Sequence, residues 1–294
     1  IFLPYICLQK VSMRVLNLLF IISIIIINPS KSQTLKKFWV EFSDKQNSTF
    51  DIQKPEEFLS ERALERRQKQ NISITESDLP VNQTYLSQIE NFGAEIHNTS
   101  KWLNAASLIC TDSISRLISE FAFVDTIMYV GKHHENKIIL RQTGKRRNNA
   151  QIPQSLDNYY GHGEEQIKMV KGNYLHEQGF RGENMMVAVL DGGFSNVDIM
   201  PFFDSLRVHG NLEYHKDFVD GDTMVFESSG HGSQVLSVMA SNIPGFMVGT
   251  APDAHYTCLK TEDTKGEYLI EECNWVAALE YADSLGIDIV NSSV

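Results

Sequence analysis

The chain has 294 residues, 42% hydrophobic and 21% charged, the composition of a globular protein long enough for about two domains. Its formal net charge of -11 argues against a nucleic-acid partner, because binding backbone phosphates requires a basic face.

Met13-Arg14 precedes an apolar run from Val15 to Ile27, interrupted only by Asn17 and Ser23 and ended by Asn28-Pro29. A basic start, an apolar stretch, a breaker and the small residues Ser30 and Ser32 make residues 1–32 a secretory signal peptide, with the natural start at Met13. The run falls short of the ~20 apolar residues a membrane-spanning helix needs. No membrane association beyond the signal is therefore expected, and the chain is placed as secreted, periplasmic or at the cell surface. Beyond the signal, Cys110, Cys258 and Cys273 have no Cys-x-x-Cys spacing and read as buried free thiols rather than zinc ligands or a disulfide framework.

Residues 33–131 read as a small α+β domain. "LKKFWVEF" is a strand, and "KPEEFLSERALERRQKQN" is one helix with acidic residues early, basic residues late and Pro55 in its first turn. "NQTYLSQIENFG", closed by Gly93, and "DSISRLISEF" are further helices, while "ASLIC" and "FVDTIMYV" are strands. A sheet with helices on one face is the expected result. Residues 132–165 lack a sustained period and form a linker. Its tribasic run, Lys145-Arg146-Arg147, is either a processing site or, more commonly for such runs, a solvated charge cluster.

From Gln166 to Val294 the pattern becomes α/β: helix "QIKMVKGNYLHEQG", strand "NMMVAVLD", helix "GHGSQVLSVMASN", strand "AHYTCLK", helix "YLIEECNWVAALEYADSLG" and strand "IDIVNSS". Nearly continuous apolar strands alternating with helices imply a parallel sheet covered on both faces. Ligands of such sheets gather at the carboxyl ends of the strands, where Asp191 and Ser292-Ser293 fall.

Asp191 leaves the run "MMVAVLDGG" into a tight Gly192-Gly193 turn, and His231 stands between Gly230 and Gly232 at a helix start. Singly, such an Asp is ordinarily a turn former and such a His a capping or surface residue. Together they are two-thirds of a nucleophilic triad, in which the carboxylate fixes the imidazole tautomer and stabilises the imidazolium formed on proton uptake.

In this order and context the segments resemble the subtilisin-like serine proteases, the subtilases. The resemblance runs from Gln166 to Val294 and rests on the region around "VAVLDGGF", on "HGSQVLSVMA" with Ser233 where a Thr is usual, on "GTAPDAHYTCLK", and on "GEYLIEECNWVAALEYADSLGIDIVNSS". It implies a three-layer subtilisin-like parallel sheet, incomplete here, preceded by a small α+β prodomain. It also implies a serine endopeptidase, Asp191 as the orienting carboxylate, His231 as the general base, and a peptide or protein substrate. By the same resemblance Ser293 lies on the strand that pairs with extended substrate, and Gly266 and Tyr268 begin the opposite cleft wall. The region before the linker resembles that of exported bacterial subtilases of the Bacteroidetes type, which implies an intramolecular prodomain. Asp198 lies near a calcium carboxylate of some relatives, but the loop after Asp191 is shorter, so no metal or other cofactor is assigned and a structural calcium stays open.

The family's nucleophilic serine and oxyanion Asn are expected beyond Val294, so the chain is read as a fragment, inactive by itself. The alternative is a catalytically dead subtilase-fold protein that binds peptides by strand addition, or a prodomain-type inhibitor. A metal-dependent hydrolase is disfavoured, since no His-x-x-x-His or His-x-His cluster occurs and His133-His134 fall in the linker.

Overall fold

The computed structural model describes residues 34–134 and 158–294. The signal segment and the tribasic run lie outside the described residues.

The first layer is an antiparallel sheet of β1 (Lys36–Phe42), β2 (Glu95–Ser100), β3 (Ala105–Cys110) and β4 (Val124–Lys132), in the order β2-β3-β1-β4. The period of two in β1 explains how both its faces are used. Phe38, Val40 and Phe42 enter a core with Leu86 and Ile89 of α2 (Gln83–Asn91) and Ile118 of α3 (Asp112–Ile118), whereas Trp39 points the other way and packs with Ile270. The expected single helix at 54–71 is divided. Pro55–Glu57 form a 3-10 turn, and α1 (Glu61–Gln70) starts afresh at Ser60, whose hydroxyl accepts from the Ala63 amide at 3.1 Å. The cap satisfies an amide that a continuous helix would have bonded internally, so the hydroxyl competes locally with helix propagation.

The second sheet is parallel, in the order β10-β5-β9-β6, from β5 (Met186–Asp191), β6 (Lys216–Asp217), β9 (His255–Lys260) and β10 (Ile289–Ser292). One face of β5, Val187 and Val189, packs with Leu236 and Ala240 of α7 (His231–Ala240) and with Leu206 of the short α6 (Asp204–His209). The opposite face, Ala188 and Leu190, packs with Ala277, Ala278 and Ala282 of α8 (Ile270–Leu285). This is the three-layer α/β arrangement expected. The helix expected over 166–179 splits into α4 (Glu164–Met169) and α5 (Gly172–Glu177), because Lys171 adopts a left-handed φ of 58° that ends the first segment. A short hairpin joins β7 (Asn242–Ile243) to β8 (Met247–Val248).

Helix α8 lies between the two sheets, and its second face carries polar groups bonded to the first domain. Glu280, buried, accepts from the Ser100 hydroxyl at 2.5 Å, the Lys101 amide at 2.6 Å and the Trp102 amide at 3.1 Å. Burial pushes its carboxyl above the usual range, and these donors pull it back in part. Asp283 receives Arg66, Arg67 and Lys101. Burial would raise its carboxyl, but Lys101 and Arg67 hold it below the ordinary value. Asn98 donates to Asn274 Oδ1 at 3.0 Å and to the Phe218 carbonyl at 2.8 Å. These bonds explain β2, a strand absent from the sequence reading: its inward residues, Asn98 and Ser100, are polar and face α8 rather than an apolar core.

His97 sits at the same contact. Its Nε2 lies 3.1 Å from Lys37 Nζ, which also donates to the Val219 carbonyl at 3.1 Å. Burial first, and the Lys37 ammonium next, push the ring from 6.5 down to about 3, with the Phe218 backbone and Asp220 opposing and His133 reinforcing the shift. A base depressed in the docked state stabilises docking fully above its free value and loses that contribution as pH falls from about 6.5 toward 3. At pH 5 the loss is about 2 kcal/mol. Hydrogen exchange at the Lys101 and Trp102 amides, corrected for intrinsic rates, should show opening made easier between pH 7.5 and 5 by up to that amount, less what proton uptake by the raised Glu280 carboxyl gives back. His97→Gln should flatten the dependence; an equally steep profile in the variant would exclude His97 as its source.

Candidate active site

Strand β5 is buried on both faces, which explains its unbroken apolar run and delivers Asp191 to its tip at 1% exposure. The Thr261 amide donates to the Asp191 carbonyl at 3.1 Å and ties this tip to the end of β9. Immediately beyond, the Gly192 amide donates to Asp191 Oδ1 at 2.8 Å. Gly193, at φ 144°, passes beneath the segment before α7, where a Cβ would lie 2.5 Å from the Glu227 carbonyl oxygen. Phe194, fully buried, then anchors the turn in the core.

His231 opens α7, its amide donating to the Ser229 hydroxyl at 3.0 Å. Its Nδ1 lies 2.8 Å from Asp191 Oδ2, so the carboxylate accepts the Nδ1 proton and Nε2 is left as the basic nitrogen on a ring whose side chain is 57% exposed. Burial raises the Asp191 carboxyl above the ordinary range; the His231 bond and the Gly192 and Gly232 amides oppose it. The carboxylate is thus desolvated but bonded, as a group that must orient an imidazole requires. Ser233 Oγ donates to the Ser195 carbonyl at 2.8 Å, fastening α7 to the turn after Asp191.

None of the other sequence-selected residues is hydrogen-bonded to Asp191 or His231 among the described residues. The Ser293 amide donates to the Leu190 carbonyl at 3.1 Å, which continues the register of β10 beside β5, and its hydroxyl accepts from Asn291 at 2.8 Å. A Cβ on Gly266 would lie 3.1 Å from Tyr268 Cε2. The Tyr268 ring packs with Trp39 and Val130 of the first domain and lies 5.9 Å from the Lys132 ammonium, so the α+β domain covers it. Among the described residues no group of three or more His, Cys, Asp or Glu is placed to hold a metal ion.

Sequence reasoning did not give Gly232 a packing role. A Cβ there would lie 2.5 Å from the Gly193 carbonyl oxygen and 2.9 Å from Asp191 Cγ. Gly232 and the Gly192-Gly193 turn are therefore one contact, and the place of Gly232 directly after His231, matching that of Gly192 directly after Asp191, was the available signal. Gly232→Ala is expected to cost about 1–3 kcal/mol by overpacking and to pull His231 from Asp191. The Nδ1 proton, expected by NMR to exchange slowly in the wild type, should then exchange with water; its survival in the variant would show that the crowding is relieved elsewhere.

Residues 37–153 match the family model described as peptidase S8 propeptide domain, Bacteroidota. Over 131 residues the chain is 30% identical to subtilisin E of Bacillus subtilis, covering 44% of this chain and 31% of that protein. It is 27% identical over 130 residues to subtilisin DY of Bacillus licheniformis, covering 44% and 43% of the two. The chain thus spans less than half the length of these curated relatives. Among solved structures, the epidermin leader peptide processing serine protease of Staphylococcus aureus gives a TM-score of 0.49 at 13% identity, covering 88% of this chain and 50% of that one. Fervidolysin from Fervidobacterium pennivorans, described as a keratinolytic enzyme related to subtilisin, gives 0.48 at 14% identity, covering 88% and 35%. The chain thus joins a region that matches an S8 propeptide model to a segment similar to the subtilisins.

Proposed function

We propose that the whole protein is an exported serine endopeptidase that hydrolyses peptide bonds through an Asp-His-Ser triad, with Asp191 and His231 as two members. The observation that carries this reading is the 2.8 Å contact of His231 Nδ1 with a carboxylate 1% exposed, which leaves Nε2 free as a base. His231 Nε2 takes the proton of the attacking hydroxyl and later gives it to the leaving amine, while Asp191 stabilises the imidazolium between these steps. Among the described serines near the pair, Ser229 accepts from the His231 amide, Ser233 donates to the Ser195 carbonyl and Ser293 accepts from Asn291. The nucleophilic serine that the resemblance implies is assigned to the part of the subtilisin length that the matched segment does not cover.

Substrate is proposed to lie as an added strand beside Ser293, with Gly266 and Tyr268 on the opposite wall. The propeptide packs over Tyr268 through β4, so its removal uncovers that wall. Residues 13–32 act as the export signal, and the mature enzyme is secreted, periplasmic or held at the cell surface.

With the whole protein freed of its propeptide, His231→Ala should lower kcat on a fluorogenic peptide by on the order of 10⁶-fold and Asp191→Asn by about 10⁴-fold, as in triads of this kind. Undiminished turnover in His231→Ala would refute the triad, and peptide binding without turnover in the wild type would favour the non-catalytic binder. An alkaline phosphatase reporter fused after Gln33 should be exported only when residues 13–32 are present.

A further inference from the structure

The end of β9 holds a carboxylate that the triad does not use. Because the Thr261 amide is bonded to the Asp191 carbonyl, the following residue, Glu262, arches over the turn that carries the triad Asp. A Cβ on Gly192 would lie 3.2 Å from Glu262 Oε2 and 3.2 Å from Thr264 Cγ2. Glu262 is half-buried there and near enough to His231 to feel the charge of the imidazole. Burial, then the charges of Asp191 and Glu267, raise its carboxyl, while His231 lowers it.

Among the neighbouring carboxylates, Asp191 has His231, Asp217 and Asp220 share Lys260, and Glu271 accepts from the Asp263 amide, while the exposed Glu267 is left to solvent. Glu262 makes no hydrogen bond or ion pair within the described residues. A partly desolvated anion beside a second anion repels further negative charge and gains from a cation brought within a few ångströms. An extended peptide whose carbonyl is presented to His231 must pass this carboxylate with the side chains that flank the bond.

We propose that Glu262 is a specificity residue of the cleft, selecting peptides with a lysine or arginine within one or two residues of the cleaved bond. The assignment rests on the protease reading above. Pairing with the basic side chain and rejection of an acidic one act together, so discrimination between the two exceeds either effect alone.

The test uses the whole protein freed of its propeptide and sets of peptides identical except for Lys, Gln or Glu at the positions flanking the bond. In the wild type the Lys-to-Glu ratio of kcat/KM should reach about tenfold or more at one position. Glu262→Gln should bring it close to parity, and Glu262→Asp should restore part of it. A ratio that Glu262→Gln leaves unchanged overturns the assignment, whatever happens to overall activity. If the wild type cleaves none of the peptides, the protease reading fails, but the selectivity is still decided. The same peptides titrated against the His231 ring resonance by NMR should then bind with the Lys form preferred in the wild type and not in Glu262→Gln, and equal affinities in the wild type would overturn it.

Discussion

The double burial of helix α8 is the constraint on which the rest of the structure depends. Its alanines, Ala277, Ala278 and Ala282, let the helix lie close against the parallel sheet, while Asn274, Glu280 and Asp283 on its other side are enclosed by the propeptide. Ionised groups removed from water contribute little net stability unless every lone pair is matched, and removing one partner is costly. Here the partners come from chain more than a hundred residues earlier: the 98–102 segment, Arg66 and Arg67. Docking therefore demands one register of propeptide against helix. The contact is better understood as a selector of geometry than as a source of adhesion, with apolar packing by Trp39, Val130 and Ile270 supplying the adhesion.

The same logic holds at the Asp191–His231 pair on a smaller scale. Asp191 is carried inward by a strand with no polar alternative, so its oxygens must be satisfied by what surrounds the strand tip. Two amides and one imidazole do this, and the approach of the Gly232 amide depends on the absence of a Cβ that would lie 2.5 Å from the Gly193 carbonyl oxygen. The geometry that makes the carboxylate a good orienting group is thus a packing solution first. Ser233, bonded to the Ser195 carbonyl, keeps that packing from sliding.

Much of this was legible in the sequence where burial and periodicity coincide. The strand ending at Asp191, the helix opening at His231 and the long α8 were all visible because their apolar residues repeat with the period of the element that forms. What escaped was controlled by polar chemistry. Strand β2 has its inward positions filled by Asn98 and Ser100, so no alternation of apolar residues announces it. The division of the 54–71 helix turns on one hydroxyl, that of Ser60, and the break at Lys171 on one backbone dihedral. Glu262 follows the apolar end of β9 as one of several acidic residues, and only the fold shows that it lies over Gly192. Local pattern predicts which residues are inside; it does not predict which buried polar atoms will meet.

The bonds made by Glu280 carry a consequence for how this propeptide tolerates change. Of its three donors, two are main-chain amides, those of Lys101 and Trp102, and the third is the Ser100 hydroxyl. A main-chain amide is offered by every residue except proline, so the side chains at 101 and 102 are under little obligation from this contact, whereas the carboxylate they serve has no substitute of equal reach and charge. The two halves of the interface are therefore free to drift at unequal rates. A mutated or borrowed propeptide keeps the two main-chain bonds to Glu280 whatever side chains it carries at 101 and 102, as long as its backbone keeps the same bend.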